Sequence, residues 1–198
     1  VPKAKDLEAR LDRADKQVRL YQTISRMLIR PGHLAETTQA IVRLVAEFIG
    51  SDSCLLYLVS RGELVLCAAE GPNPRAVGEV RLRLDEGLTG WVARERRLLA
   101  ISREAYQDPR FKFFRDLPED TFESFLSAPI IVGDRVVGVI NTQHRHAHAH
   151  SGDEMEMITT VGEQIGCLIA MAFVIPEEFA NADYAELGLA GRVGAGGR

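Results

Sequence analysis

The strongest constraint on how this chain can fold lies between residues 124 and 140. Ser124-Phe125-Leu126-Ser127-Ala128-Pro129-Ile130-Ile131 leads to a turn at Gly133-Asp134, and Val136-Val137-Gly138-Val139-Ile140 follows. Two apolar runs across a two-residue glycine turn predict an antiparallel hairpin. Counted outward from the turn, Val132 faces Arg135, Ile130 faces Val137, Ala128 faces Val139, Leu126 faces Asn141 and Ser124 faces Gln143. Side chains alternate along a strand. One face then carries Ser124, Leu126, Ala128, Val137, Val139 and Asn141, and the other Phe125, Pro129, Ile131, Val136, Gly138 and Ile140. Both faces are apolar, so both need cover. Helices suit one side. A lid suits the other, and a small-molecule pocket fits beneath a lid.

The rest of the chain supplies that cover. Leu7, Leu11, Ala14, Val18, Tyr21, Ser25 and Leu28 follow a four-three spacing. This predicts a dimerisation helix over 1–30 with a narrow coiled-coil seam, ended by Pro31-Gly32. A second helix is expected over Leu34 to Ile49, and strands over Cys54 to Val59 and Glu63 to Ala69 around Arg61-Gly62. A short strand, Glu79 to Leu84, precedes the glycine turn Glu86-Gly87-Leu88-Thr89-Gly90. A helix from Thr89 to Arg96 and a strand from Leu98 to Ser102 follow. Glu104 to Thr121 is too polar for an ordinary core element, and Trp91 with Tyr106 to Phe114 reads as the lid. Ser151 with Glu154 three residues on has capping-box spacing. It opens a last helix with its own seam, Ile158, Val161, Ile165, Leu168, Ala172 and Ile175, stopped by Pro176. The expected fold is α+β. About six antiparallel strands occupy 31–175, with terminal helices on one face and a lid and pocket on the other. Residues 176–198 read as a flexible tail or linker.

Composition narrows the function. The net charge is −4 with both signs interspersed, which speaks against nucleic acid as a partner. The longest uncharged apolar run, Ile165 to Ile175, is too short to span a bilayer, so no membrane partner is expected. The charged, mixed-sign start does not read as a secretion signal. Cys54, Cys67 and Cys167 form no CxxC pair, which fits a reduced, cytoplasmic setting.

Four motifs carry a resemblance: Asn73-Pro74-Arg75-Ala76-Val77-Gly78, Glu86-Gly87-Leu88-Thr89-Gly90-Trp91-Val92-Ala93, Asp108-Pro109-Arg110-Phe111 and Ser124 to Ile131. Over roughly Thr23 to Phe173 the chain resembles a GAF domain. Within that family it looks most like the N-terminal GAF domain of the nitrogen-related phosphoenolpyruvate-protein phosphotransferase and its bacterial sensor relatives. The resemblance implies a regulatory module without catalysis of its own. It also implies an unknown small-molecule ligand and an output domain or partner protein, with no cofactor required. The two seams, Leu7 to Leu28 and Ile158 to Ile175, predict a homodimer through both terminal helices, two from each subunit. The alternative is an interaction scaffold with a collapsed pocket. A third reading follows from GAF proteins that are free-methionine-R-sulfoxide reductases. Against it, the turn register sets Cys54 and Cys67 diagonally, with Cβ atoms roughly 7 Å apart and too distant to bridge. The lid region holds no cysteine for bilin attachment. Phe111 to Glu123 does not reproduce the dispersed Asn-Lys-Phe-Asp-Glu signature of cyclic-nucleotide binders.

The candidate ligand-binding residues are Tyr57, Trp91, Phe111, Phe114, Ser124, Leu126, Val139 and Asn141. Asn141 is the expected polar anchor, since its amide both donates and accepts. Trp91, Phe111, Phe113 and Phe114 form either an aromatic wall for a ligand or a plug over the sheet. Gly87-Leu88-Thr89-Gly90 is either an anion cradle at a helix start or a change of direction. His144, His146, His148 and His150 alternate, so in an extended chain all project to one side. They form either a metal-binding comb or an exposed connection dispensable for the fold.

Overall fold

A computed structural model describes residues 2–29, 34–72, 74–112 and 122–172. In chain order the helices and strands are α1 (Pro2–Leu28), α2 (Leu34–Ile49), β1 (Ser53–Ser60), β2 (Glu63–Glu70), β3 (Arg81–Arg83), α3 (Gly87–Glu95), β4 (Leu99–Ile101), β5 (Ser124–Val132), β6 (Arg135–His144) and α4 (Gly152–Ala172). The strands form one six-stranded sheet in the order β3-β2-β1-β6-β5-β4. Every neighbouring pair is antiparallel.

The two faces are covered differently, as a hairpin apolar on both sides requires. On one face α2 and α4 bury Ile41, Val42, Val45, Met157, Ile158, Val161 and Ile165 against Leu56, Leu126, Ile130 and Ile140. Leu20 and Ile24 of α1 join this core. On the other face α3 packs Val92 and Ala93 against Tyr57, Leu64, Leu66, Leu82 and Val139. Gln39 of α2 ties the helical layer to the sheet: its amide donates to Ala69 O at 2.8 Å and accepts from Ala69 N at 3.2 Å.

The last hairpin keeps its turn but not the expected register. Val132 pairs with Arg135 and Ile131 with Val136, then Ile130 pairs with Gly138. Val137 is therefore the extra residue of a β-bulge, and every pair beyond it shifts by one. Ser127, not Leu126, faces Asn141, and Leu126 faces Thr142. A one-residue slip moves side chains to the opposite face. Leu126 consequently lies in the helix-side core while Val139 lies in the α3-side core. A second bulge, between Leu56 and Tyr57, leaves Cys67 unmatched and sets Cys54 opposite Glu70. The two thiols are thus farther out of register than the expected diagonal.

The α4 seam also differs from expectation. Ile158, Val161 and Ile165 are fully buried in the domain's own core. Each contributes about 2 kcal/mol by burial, so α4 cannot offer them to a partner without losing the core. The α1 seam divides. Leu20 and Ile24 are buried, whereas Leu7, Leu11 and Val18 are each more than half exposed. The capping box at Ser151 is formed: Ser151 N donates to Glu154 Oε2 at 2.8 Å and Glu154 N donates to Ser151 Oγ at 3.2 Å. The expected stop at Pro31-Gly32, the seam position Ile175 and the 176–198 tail lie outside the described residues.

Gly138 sits beside the bulge, where β1 passes closest to β6. A methyl group there would meet the Tyr57 carbonyl oxygen and lie 2.9 Å from Leu58 Cδ2. Backbone cannot yield as a side-chain tip does. Gly138→Ala is expected to cost about 1–3 kcal/mol in a denaturant titration. An unchanged midpoint would mean that β1 and β6 lie farther apart than described.

Candidate functional site

On the α3 face a chain of buried polar groups crosses an otherwise apolar layer. Ser127 Oγ donates to Asn141 Oδ1 at 2.6 Å, and Asn141 Nδ2 donates to Thr89 Oγ1 at 2.8 Å. Ser127 and Asn141 are almost wholly enclosed, and Thr89 is buried. Sequence places Thr89 in the second turn-forming glycine segment, so Asn141 ties α3 to the middle of the sheet. The close fit of that segment follows from Gly90, where a Cβ would lie 2.7 Å from Arg83 O. Asn141 is therefore an internal strut in this structure, with both ends of its amide engaged.

The lid segment is latched from two sides. Lys112 Nζ donates to Glu86 Oε1 at 2.7 Å, and Arg83 N donates to Glu86 Oε2 at 3.1 Å. The lysine contact, then the Arg83 amide, hold the Glu86 carboxyl below the usual carboxylate range. Asp108 takes both ends of the Arg110 guanidinium, at 2.8 and 2.7 Å, and its pKa is lowered chiefly by that arginine. Arg110 in turn lies 4.6 Å above the Trp91 ring, a cation–π contact. Glu86 precedes α3, but its carboxylate makes no capping bond to that helix and is held instead by Lys112 and the Arg83 amide. Phe111 packs with Leu88, Ala105 and Phe125. Phe113 and Phe114 lie outside the described residues.

Among the described residues two small cavities lie beneath this cover. One cavity of about 40 Å³ is bounded by Leu88, Thr89, Phe111, Lys112, Phe125 and Gln143. Another of about 30 Å³ lies among Leu55, Tyr57, Leu66, Ala69, Val80 and Gln143. Each has space for a water or two, not a metabolite. Gln143 borders both, and its Oε1 is buried without a partner among the described residues. A far larger hollow, about 890 Å³, is instead an open, charged cleft between α1 and α2, edged by Asp6, Arg10, Asp12, Arg13, Lys16 and Glu47.

Of the candidate ligand-binding residues, Tyr57, Trp91, Val139 and Asn141 share the α3 face, and Phe111 closes its edge. Ser124 and Leu126 do not join them. The bulge at Val137 turns both toward the helical layer, where Ser124 pairs with His144 and Leu126 with Thr142. Ser127 is the polar residue that sequence reasoning missed, and only the shifted register brings its hydroxyl to Asn141. The sequence places Thr89 only in the glycine turn and Gln143 only opposite Ser124.

The histidine run is not an extended comb. The chain bends at Arg145 and His146, fixed by Arg145 N donating to Asp52 Oδ2 at 2.8 Å and His148 N to Ser102 O at 2.9 Å. His146 turns out to solvent. His144 and His148 stack at 4.0 Å, and His150 sits 5.0 Å from His148 in an edge contact. Glu154 lies 3.2 Å from His148 Nε2. Burial, then the neighbouring His148 and His150, push the His144 pKa down to about 4. Burial likewise lowers that of His150; the nearby Ile101 backbone opposes this without meeting hydrogen-bond geometry.

The thiols stand apart from the lid. Cys54 is fully enclosed and burial raises its pKa far above that of a free thiol. Cys67 is raised mainly by burial, and its Sγ lies 3.3 Å from Val65 O. Cys167 is exposed on α4.

An antiparallel sheet with helices on one face and a short helix and latched loop on the other is the architecture of small α+β sensory modules. The sequence profile of the GAF domain matches residues 33–169, well over half of the chain, and the chain belongs to the GAF family. It is 25% identical over 158 residues to a phosphoenolpyruvate-dependent phosphotransferase system protein of Salmonella typhimurium, covering 79% of this chain but 21% of that one. The chain thus spans about a fifth of the length of the curated relatives it matches. The GAF domain of a phosphoenolpyruvate-protein phosphotransferase from Coxiella burnetii superposes with a TM-score of 0.75 at 26% identity, covering 80% of this chain and 95% of that one. Free methionine-R-sulfoxide reductase from Neisseria meningitidis shares the fold, with a TM-score of 0.66 at 14% identity, over 78% and 88% of the two chains. No described helix is long and apolar enough to cross a membrane.

Two predictions follow from this geometry. Asn141→Leu strands two buried hydroxyls at once. It should cost about 2 kcal/mol or more, since each unsatisfied group costs roughly 1–3 kcal/mol. Adding Ser127→Ala and Thr89→Val should recover most of that loss; a triple variant less stable than the single one would contradict the bridge. The second concerns acid. Glu86 and Asp108 have lowered folded pKa values, so the latch is complete above about pH 4.5 and lost as pH falls through the lower folded values. Emission from Trp91, the sole tryptophan, should shift red across that acidic range. In Lys112→Met the shift should already be present at pH 7. A wild-type transition centred above pH 5 would count against the latch.

Proposed function

We propose that this chain is a regulatory, non-catalytic GAF domain that works as a helical association module. In this reading a homodimer forms through the free half of α1, and α4 carries strain between the sheet and that interface. The observation supporting it is the divided seam of α1. Leu20 and Ile24 are anchored in the core, while Leu7, Leu11 and Val18 on the same helix are exposed. Gln164 of α4 reaches α1 by donating to Ser25 Oγ at 2.9 Å, so the helix that continues the sheet touches the helix that would pair. A second α1 laid along this seam would bury the three exposed apolar side chains in the manner of a short coiled coil. An output domain or partner protein would read the geometry of that pair. The reading requires no cofactor.

The collapsed α3 face favours this scaffold over a preformed metabolite pocket. One observation supports a sensor reading beside it: Gln143 Oε1 is unpaired between two small cavities. Release of the Lys112–Glu86 latch would join them into one site, with Gln143 as its polar anchor in place of Asn141.

Sedimentation velocity at micromolar concentration tests the association. The wild-type chain should sediment as a dimer. Leu11→Glu and Val18→Glu should each give monomers with an unchanged circular dichroism spectrum, because both positions are exposed within one subunit, and any loss in melting temperature should be no more than the lost association accounts for. A monomeric wild type would refute the proposal.

A further inference from the structure

We infer that His144, His148 and His150 form a binding site for a divalent transition-metal ion of zinc's class at the junction of β6 and α4. The three side chains each offer one ligand atom, and these atoms lie within 4.8 Å of one another. Around a tetrahedral zinc ion, ligand nitrogens at 2.0–2.1 Å stand about 3.3 Å apart. The cluster therefore needs a contraction of about 1.5 Å at most, which side-chain rotation of the half-buried His148 and His150 supplies. Imidazole nitrogen is the donor such ions prefer.

The surroundings also point to a ligand. His144 is 7% exposed, yet its Nε2 is buried without a partner among the described residues. Both ring nitrogens of His150 share that condition. Unpaired buried nitrogen costs free energy and is uncommon in folded proteins. The buried hydroxyls of Ser124 and Thr142 are likewise unpartnered on this sheet face, Ser124 directly opposite His144. Glu154 contacts His148 Nε2 with both carboxylate oxygens at 3.2 Å. That leaves Nδ1 of His148 to meet the metal, with the carboxylate fixing the ring from behind, a common arrangement around zinc. Asp52 and Glu154 supply negative charge near the cluster. The His148 side chain remains 30% exposed, which gives an entry path. A fourth position is left for water or an incoming donor.

The loop geometry is built independently of any metal. Asp52 and Ser102 fix the bend, and the capping box sets the start of α4. An ion here would cross-link the end of β6 to the connection that leads into α4, where Glu154 of the first turn already touches His148. The inference does not depend on dimerisation or on a pocket under the lid.

The test uses the full chain without an affinity tag. Zinc is titrated against a chromophoric chelator, and cobalt is added separately to read coordination from its visible spectrum. The expected result is one zinc per chain and a tetrahedral cobalt spectrum. His148→Ala and His150→Ala should each weaken zinc by about 100-fold or more, and Glu154→Gln by about 10- to 100-fold. Glutamine at this position retains the capping box, so the last effect reports charge rather than folding. His146→Ala should leave affinity within about twofold, because that side chain points to solvent. Circular dichroism confirms that each variant is folded. Absence of saturable binding overturns the inference. So does a loss in His146→Ala equal to that in His148→Ala, which would mark loose surface binding by any imidazole.

Discussion

The hydrogen-bond bridge from Ser127 through Asn141 to Thr89 decides what the α3 face of this sheet is. Two apolar faces demand cover, and hydrophobic burial alone would let α3 slide across Val139 and Tyr57. The bridge removes that freedom. It spends both ends of the Asn141 amide inside the protein at 2.6 and 2.8 Å, so the residue best suited to anchor a ligand is already committed. With α3 fixed, the Glu86–Lys112 latch and the Arg110–Trp91 stack hold the adjoining loop, and among the described residues the two cavities bordering Gln143 are water-sized. The polar strut and the closed face are one feature.

The opposite face follows from where α4 places its apolar residues. Ile158, Val161 and Ile165 are consumed by the sheet, and α1 finds only part of its seam a place in the same core. The remainder of α1 is thereby left exposed, and Gln164 of α4 joins the two helices. The β6–α4 junction, where the histidines gather, leads into α4.

Much of this was legible in the sequence because much of it is local. The Gly133-Asp134 turn, the Ser151–Glu154 capping box and the 34–49 helix depend on residues a few positions apart, and each stands where pattern placed it. What was not legible depends on distant partners. The bulge at Val137 arises where β6 packs between β1 and β5, and no local signal separates a bulged pair from a regular one. Its effect is nevertheless large: it moves Ser124 and Leu126 off the candidate site and brings Ser127 to Asn141. Alternation of the histidines suggested a comb only for a straight chain. The bend that gathers three and expels His146 is set by Asp52 and Ser102, far away in sequence. Periodicity likewise marked a seam on α4, but the expectation that a partner helix covers it fails for Ile158, Val161 and Ile165, because the sheet covers them and a helical period alone does not distinguish the two.

Native mass spectrometry of the freshly purified, tag-free chain tests the central claim most directly, because it weighs subunits and bound molecules together. The account predicts two chains per particle with no organic molecule retained, since the α3 face is filled by the protein's own side chains; one metal ion per chain is compatible with it. A single chain, or a dimer carrying a stoichiometric organic ligand of metabolite size, would contradict it.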